Sequence, residues 1–491
     1  MKKILIFLLF IIPLITYSQV QLGADIDGEA AGDNSGHSVS LSNDGNTLAI
    51  SAPYNDGTGS DAGHVRVFEN IAGTWTQKGD DFDGEAVGDA FGWRVSLSDD
   101  GSIIAIGAIY NNSNTGHVRV YEYNSGTTSW DQLGSDIDGE AVADQSGRSV
   151  SLSSDGSIVA IGAISNNSSA GHVRIYEYNS GTTSWDQLGG DIDGETSGDN
   201  SGWSVSLSSD GNIVAIGAPN NIGTGHVRVY ENILGFWTQI GSDIDGEALN
   251  DKFGRNVSLS SDGNIVAIGA YQNNGIGPPD SGHVRVYEYN LSTTTWNQLG
   301  ADIDGEAAGD NSGYNVSLSD NGSIVAIGAY KNDGTGPDSG HVRIYQYILS
   351  TTTWTQIGVD IDGEAAGDLL GNTVSLSSDG SIVAIGAPQN NGNGADAGHV
   401  RVYDLSAEVL GISDEFVVKN FSIYPNPVST KLYIQLTNEL EFISANLFDY
   451  LGKNVLKSTK TMLDVSSLSK GVYFLKVKTD KGIGIKKVII N

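Results

Sequence analysis

Seven times between residues 25 and 368 the chain repeats one acidic phrase, and the spacing of the copies restricts what it can fold into. The phrase is DIDGEAAGD at 25–33, 302–310 and 360–368, with looser copies starting at Asp81, Asp136, Asp191 and Asp243. Successive starts lie 52 to 59 residues apart. A period of that length marks a propeller or a solenoid, in which each unit buries its apolar face against the next.

One unit, from Gly92 to Asp136, predicts four strands. RVSLS (94–98) alternates, and DDG (99–101) supplies a hairpin turn. IIAIGA (103–108) is continuously apolar, as in a strand buried on both faces. HVRVYEY (117–123) follows an Asn-rich loop, and WDQLGSDI (130–137) leads into the next acidic phrase. Four short strands per unit is a propeller blade. The ends agree: VQLG (20–23) copies only a fourth strand, and the last unit stops after its third, HVRVY (399–403). The N-terminal strand is therefore predicted to complete the last blade and close a ring of seven, leaving no unpaired edge. The expected fold is all-β, a seven-bladed propeller over 19–406 followed by a small C-terminal β-sandwich.

Other parts of the chain set its context. Lys2 and Lys3 precede an apolar run at 4–15, and Thr16 and Ser18 suit cleavage before Gln19, so 1–18 reads as an export signal with no lasting membrane anchor. The chain has no cysteine, which excludes disulfides and a lipid-modified cysteine. Residues 19–406 hold 13 Lys+Arg against 51 acids, a net −38 that repels nucleic acid and anionic membrane. Residues 407–420 read as a linker and 421–491 as a separate module, the two together holding 11 Lys against 8 acids.

Two resemblances follow from the motifs. Phe91-Gly92 and Phe253-Gly254 before first strands, with Gly217-Ala218-Pro219 and Gly386-Ala387-Pro388 after second strands, resemble the FG-GAP repeat, the blade unit of integrin α-type propellers. The tail, with Tyr-Pro-Asn-Pro at 424–427, Gly-Val-Tyr at 471–473 and a Lys-containing last strand GIKKVII (484–490), resembles the C-terminal sorting domain of type IX secretion cargo in Bacteroidetes-type bacteria. That resemblance implies contact with the type IX machinery and a secreted or outer-surface location.

The repeated acids admit two readings. Asp25, Asp27, Glu29 and Asp33, with Asp302, Asp304, Glu306, Asp310 and their equivalents in every copy, have the spacing of a calcium loop, and calcium is the one cofactor they suggest. They depart from the integrin-type loop in having Gly fourth, at Gly28 and Gly139, instead of sixth, and in lying between strands four and one. The other reading is a structural charge network. GHVR also occurs seven times, and His and Arg two apart on a strand share a face, so each blade has a basic pair for its acids. Seven equivalent histidines argue against a catalytic one, and no catalytic residue is assigned. Six fourth-strand tryptophans, Trp75, Trp130, Trp185, Trp237, Trp296 and Trp354, read as packing residues whose seventh counterpart is Gln19.

Function is sought where the repeat breaks its own pattern. The residue after the first-strand glycine runs His37, Trp93, Arg148, Trp203, Arg255, Tyr314, Asn372. In a propeller these ring one mouth of the central channel, joined by the Asn-rich loops at 110–115 and 271–281. Such a ring could stack on sugars or grip a carboxylate; an exposed position free to drift is the alternative. The expected function is a non-catalytic binding or adhesion module for an extracellular glycan or protein. A polysaccharide-degrading enzyme and a calcium-rigidified surface protein are the alternatives.

Overall fold

The second strand of each repeat sets the architecture, because a run of apolar residues on both faces needs cover on both sides. Its copies, such as Thr47–Ala52, Ile158–Ala163 and Ile324–Ala329, are buried along their whole length. The computed structural model describes residues 19–274, 279–349, 351–406, 421–437, 440–448, 454–479 and 482–490. The predicted export signal and the predicted linker lie outside them.

In each blade of the ring four antiparallel strands run in order, first strand innermost. In the second blade these are Phe91–Leu97, Ile103–Ala108, His117–Asn124 and Ser129–Gln132. Closure follows the prediction: Val20–Gln21 pairs antiparallel with His399–Asp404 as the outer strand of the seventh blade. Hydrophobic clusters straddle successive blades. One joins Val227 and Val229 of the fourth blade to Phe253, Val257 and Ile268 of the fifth. Each such buried side chain contributes about 1.5–3 kcal/mol.

The structure explains the near-invariant SVSLS. Backbone pairing cannot continue from one innermost strand to the next, so the penultimate serine of each first strand bridges the gap. Ser40 Oγ accepts the Leu97 N–H at 3.0 Å, Ser96 that of Leu152, Ser151 that of Leu207, and so round to Ser375 and Leu41. The tryptophans bridge blades at the rim: Trp75 Nε1 donates to the Leu22 carbonyl at 2.8 Å and Trp354 Nε1 to that of Leu299 at 2.7 Å. Gln19, in the seventh place, donates from Nε2 to the Val359 carbonyl at 2.7 Å.

One expectation needs refinement. In six of the blades the fourth strand is not continuous: Ser129–Gln132 ends and Ile137–Asp138 resumes pairing with the same third strand, while in the sixth blade Thr353–Asp362 runs through with a register shift. The break comes at Gly134, whose φ of +78° suits glycine and whose bare Cα makes room for the Trp185 ring of the next blade. The acidic phrase therefore begins as part of the blade before it crosses over.

The tail is a two-sheet sandwich. Phe421–Tyr424, Lys431–Leu436 and Met462–Asp464 form one sheet; Phe442–Phe448, Asn454–Ser458, Gly471–Thr479 and Gly482–Ile490 form the other. Leu432, Leu447, Leu475 and Val488 are fully buried between them. Asn426, from Tyr-Pro-Asn-Pro, ties the last strand down: its Nδ2 donates to the Lys487 carbonyl and its Oδ1 accepts from Ile489 N–H, both at 2.8 Å.

Candidate functional site

The joints between blades and the channel mouth lie at the same end of the ring, and they are built differently. At a joint the four acids of one phrase part company. The first acid joins the histidine of its own blade: Asp25 lies 3.6 Å from His399 Nδ1, Asp136 3.6 Å from His117 and Asp302 3.7 Å from His283. The fifth-position glutamate reaches the arginine of the next blade: Glu29 to Arg66 at 3.5 Å, Glu306 to Arg343 at 3.4 Å, and Glu85 to Arg119. In five blades that arginine also donates to the backbone carbonyl of the third acid, as Arg66 does to Asp27 at 2.7 Å and Arg343 to Asp304.

The ninth acid turns inward and locks a turn. Asp33 is 2% exposed and accepts from the Ala30 N–H and, at 3.0 Å, from Asn55 Nδ2. Asp310 does the same with Ala307 and Asn332. All seven copies bond an asparagine 22 residues on: Asn55, Asn111, Asn166, Asn221, Asn273, Asn332 and Asn390. These asparagines were missed in the sequence, although the constant offset was there to be found. The displaced glycine has its own cause: a Cβ on Gly28 would collide with the Ala397 carbonyl oxygen, and one on Gly139 with that of Thr115.

Asp25, Asp27, Glu29 and Asp33, and likewise Asp302, Asp304, Glu306 and Asp310, thus each engage different partners in this structure. The groupings able to hold a metal combine two phrases with a histidine, as Glu29, His64 and Asp81 do, or Glu85, His117 and Asp136. In each of these two an arginine already pairs with the glutamate. Burial, then the neighbouring arginine, lowers the pKa of the six histidines from His64 to His341. In His399 burial is again the largest cause of a lowered pKa. His283 and His341 are pushed down to about 4.

At the mouth, the seven predicted residues form a nearly continuous belt. His37 and Trp93 have ring centroids 4.7 Å apart. The Arg148 guanidinium lies 5.1 Å from the Trp93 ring and 4.3 Å from that of Trp203. Arg255 lies 5.1 Å from Trp203 and 4.3 Å from Tyr314. Asn372 Nδ2 reaches the His37 carbonyl at 3.4 Å. A second row of rings backs the belt: Tyr110 against Trp93, and Tyr271 and Tyr330 against Tyr314. The loop at 110–115 thus joins the mouth, as does the start of 271–281; residues 275–278 lie outside the described set.

The geometry shifts the chemistry from stacking toward gripping. Both indoles already have guanidinium groups over them, an arrangement that holds the arginines in place. Below the belt, a cavity of about 140 Å³ is lined by the next residues of the innermost strands, among them Ser38, Arg94, Ser149 and Asn315. Arg94 was missed because its counterparts are Ser, Asn and Thr. Burial and then Arg255 lower its pKa to about 10. Burial and the charges of Arg94, Arg148 and Arg255 hold His37 well below the usual histidine value, so it is neutral at pH 7.

Comparison with known proteins agrees with this architecture. Residues 422–491 match the secretion system C-terminal sorting domain family, and residues 20–68 match the FG-GAP repeat. No curated protein matches the chain. Among solved structures, hydrazine synthase from Kuenenia stuttgartiensis is 14% identical with a TM-score of 0.50, covering 74% of this chain and 94% of its own. A periplasmic gluconolactonase from Pseudomonas aeruginosa is 15% identical with a TM-score of 0.47, over 66% and 85%. At these identities the hydrazine synthase likeness is one of fold, and the gluconolactonase score is too low to bear on activity. The chain is a β-propeller whose first repeat matches FG-GAP, followed by a type IX sorting domain, which makes it a secreted or cell-surface protein addressed to the type IX machinery. Among the described residues no helix is long and apolar enough to cross a membrane.

Proposed function

We propose that the propeller is a non-catalytic binding or adhesion module that holds an extracellular glycan or protein over the channel mouth. The observation that carries this reading is the belt from His37 to Tyr314. It occupies a position at the start of the first strand where the repeat breaks its pattern, yet its side chains pack on one another in sequence instead of drifting apart. Independent drift at an exposed site gives no such continuity.

The seven joint histidines support the non-catalytic part of the reading. They occupy equivalent strand positions, paired with repeated acids, whereas a general base is normally a singular group poised near the working pH. The test is a screen of the secreted chain on arrays of extracellular glycans and surface proteins, run in parallel with Trp203→Ala. Retention of a ligand by the parent and its loss by the variant is the expected result. Equal retention by both would place the ligand elsewhere, and cleavage of an arrayed polysaccharide would overturn the non-catalytic reading.

A further inference from the structure

Residues 19–406 contain 13 Lys and Arg. Seven are the repeated arginines, each ion-paired at a joint. The six that remain are Lys78, Arg94, Arg148, Lys252, Arg255 and Lys331. All but Lys78 gather at the channel mouth: Lys252 donates to Asn220 in the adjoining loop at 2.6 Å, and Lys331 lies 5.5 Å from the Tyr330 ring that backs Tyr314. None of the five has an ion-pair partner among the described residues. In a domain with 51 acids, that concentration of unpaired positive charge is the opposite of what random placement gives.

Two of the five charges are also withdrawn from water. Arg148 is 8% exposed and Arg255 7%. Buried cations without counter-ions are costly, and proteins tolerate them where a ligand supplies the missing charge. The hydrogen-bond ledger points the same way. Trp93 Nε1 and Trp203 Nε1 are buried donors with no partner. The acceptors of the cavity wall are used internally: Ser38 Oγ takes the Val95 N–H, Asn256 Oδ1 that of Val316 and Asn315 Oδ1 that of Val374. Ser149 and Ser204 donate to the carbonyls of Gly202 and Gly254. Unpartnered at the mouth are the two indole N–H donors and His37 Nδ1, while the wall's serine and asparagine oxygens are each already engaged in one internal bond.

We infer that the channel mouth binds the anionic group, a carboxylate or sulfate ester, of an acidic glycan, with Arg94, Arg148 and Arg255 converging on it. The inference rests on the binding-module reading and narrows its ligand. A glycan suits the site better than a peptide: its hydroxyls and ring oxygens can accept from the two indole N–H groups and can also donate to the serine oxygens, whereas each peptide unit brings an N–H and a C=O of fixed geometry. Guanidinium gives the planar, charge-assisted bonds that carboxylate and sulfate oxygens accept. The aromatic rings between the arginines fix their spacing.

The test is calorimetric titration of the full secreted chain with a galacturonate tetrasaccharide, its carboxyl-reduced neutral form, a sulfated tetrasaccharide and an acidic peptide. The variants are Arg94→Ser, Arg148→Asn and Arg255→Asn, each installing a residue that another blade carries at the same position. Binding of an acidic tetrasaccharide that weakens with added salt, and at least about tenfold in each variant, is expected. The two acidic sugars separate carboxylate from sulfate. If the neutral sugar binds as tightly as the acidic ones, or the variants bind as the parent does, the anionic assignment fails while the binding module stands. Tighter binding of the peptide overturns the glycan assignment. If no probe binds, the inference is overturned, and the array screen decides the module separately.

Discussion

The joint and the mouth are rings of seven built a few residues apart on the same strands, yet one repeats its chemistry and the other varies it. At the joints the same His, Arg, Asp and Glu recur, and in every copy an arginine meets a glutamate of opposite charge. At the mouth the residues differ from blade to blade, and like charges are brought together with rings between them. A structural part must satisfy the same constraint at every blade, so it recurs. A site for an asymmetric ligand has no reason to recur, and it can hold charge that the fold alone would not assemble.

That contrast can be broken in several ways. The largest effect is expected from removing the closing strand. A chain starting at Glu29 lacks Val20–Gln21 and Ile26–Asp27, and with Gln19 it loses the bond to Val359. The seventh blade then presents His399–Asp404 as a bare edge. Loss of a single cooperative thermal transition and association on size-exclusion chromatography are expected; an unchanged monomeric transition would show that closure is dispensable.

A smaller loss is expected from one turn lock. Asp144→Ala leaves the Asn166 amide and the Ala141 N–H without their acceptor, a cost of about 1–3 kcal/mol. Urea unfolding measures it, and the same substitution at Asp199 should cost a similar amount because the site recurs.

The pH dependence is subtler and spread round the ring. The joint histidines have folded-state pKa values below the unfolded value near 6.5, so the unfolded chain binds protons that the folded one refuses. Their contribution is present above pH 6.5 and is lost as pH falls towards about 4, the value for His283 and His341. The melting temperature should therefore fall through that window. A flat profile between pH 6.5 and 4 would mean that the histidines are already charged in the folded protein.

Repetition is what made the fold legible. Seven copies of VSLS, GHVR and the acidic phrase predicted the blades, the ring closure and the pairing of His and Arg with acids, and Gln19 was placed correctly as the seventh tryptophan counterpart. What stayed hidden depended on three-dimensional neighbours. The calcium-like spacing of Asp25, Asp27, Glu29 and Asp33 could not reveal that alternate residues leave a crossover in different directions. The lock asparagines were masked by the other asparagines in their loops. Six of the ring residues are joined by packing, but Arg94 sits one residue deeper, where its counterparts are small and polar. Setting aside the repeat's own arginines would have exposed it, since few cations then remain.

The most direct test of the division between joint and mouth needs no ligand. In Arg94→Ser/Arg148→Asn/Arg255→Asn, three poorly compensated buried charges are replaced by residues that other blades already carry at those positions. Thermal unfolding of this variant should give a melting temperature equal to or above the parent's, because the charges serve binding at the expense of stability. A fall as large as that caused by Asp144→Ala would show that the mouth, like the joints, is part of what holds the ring together.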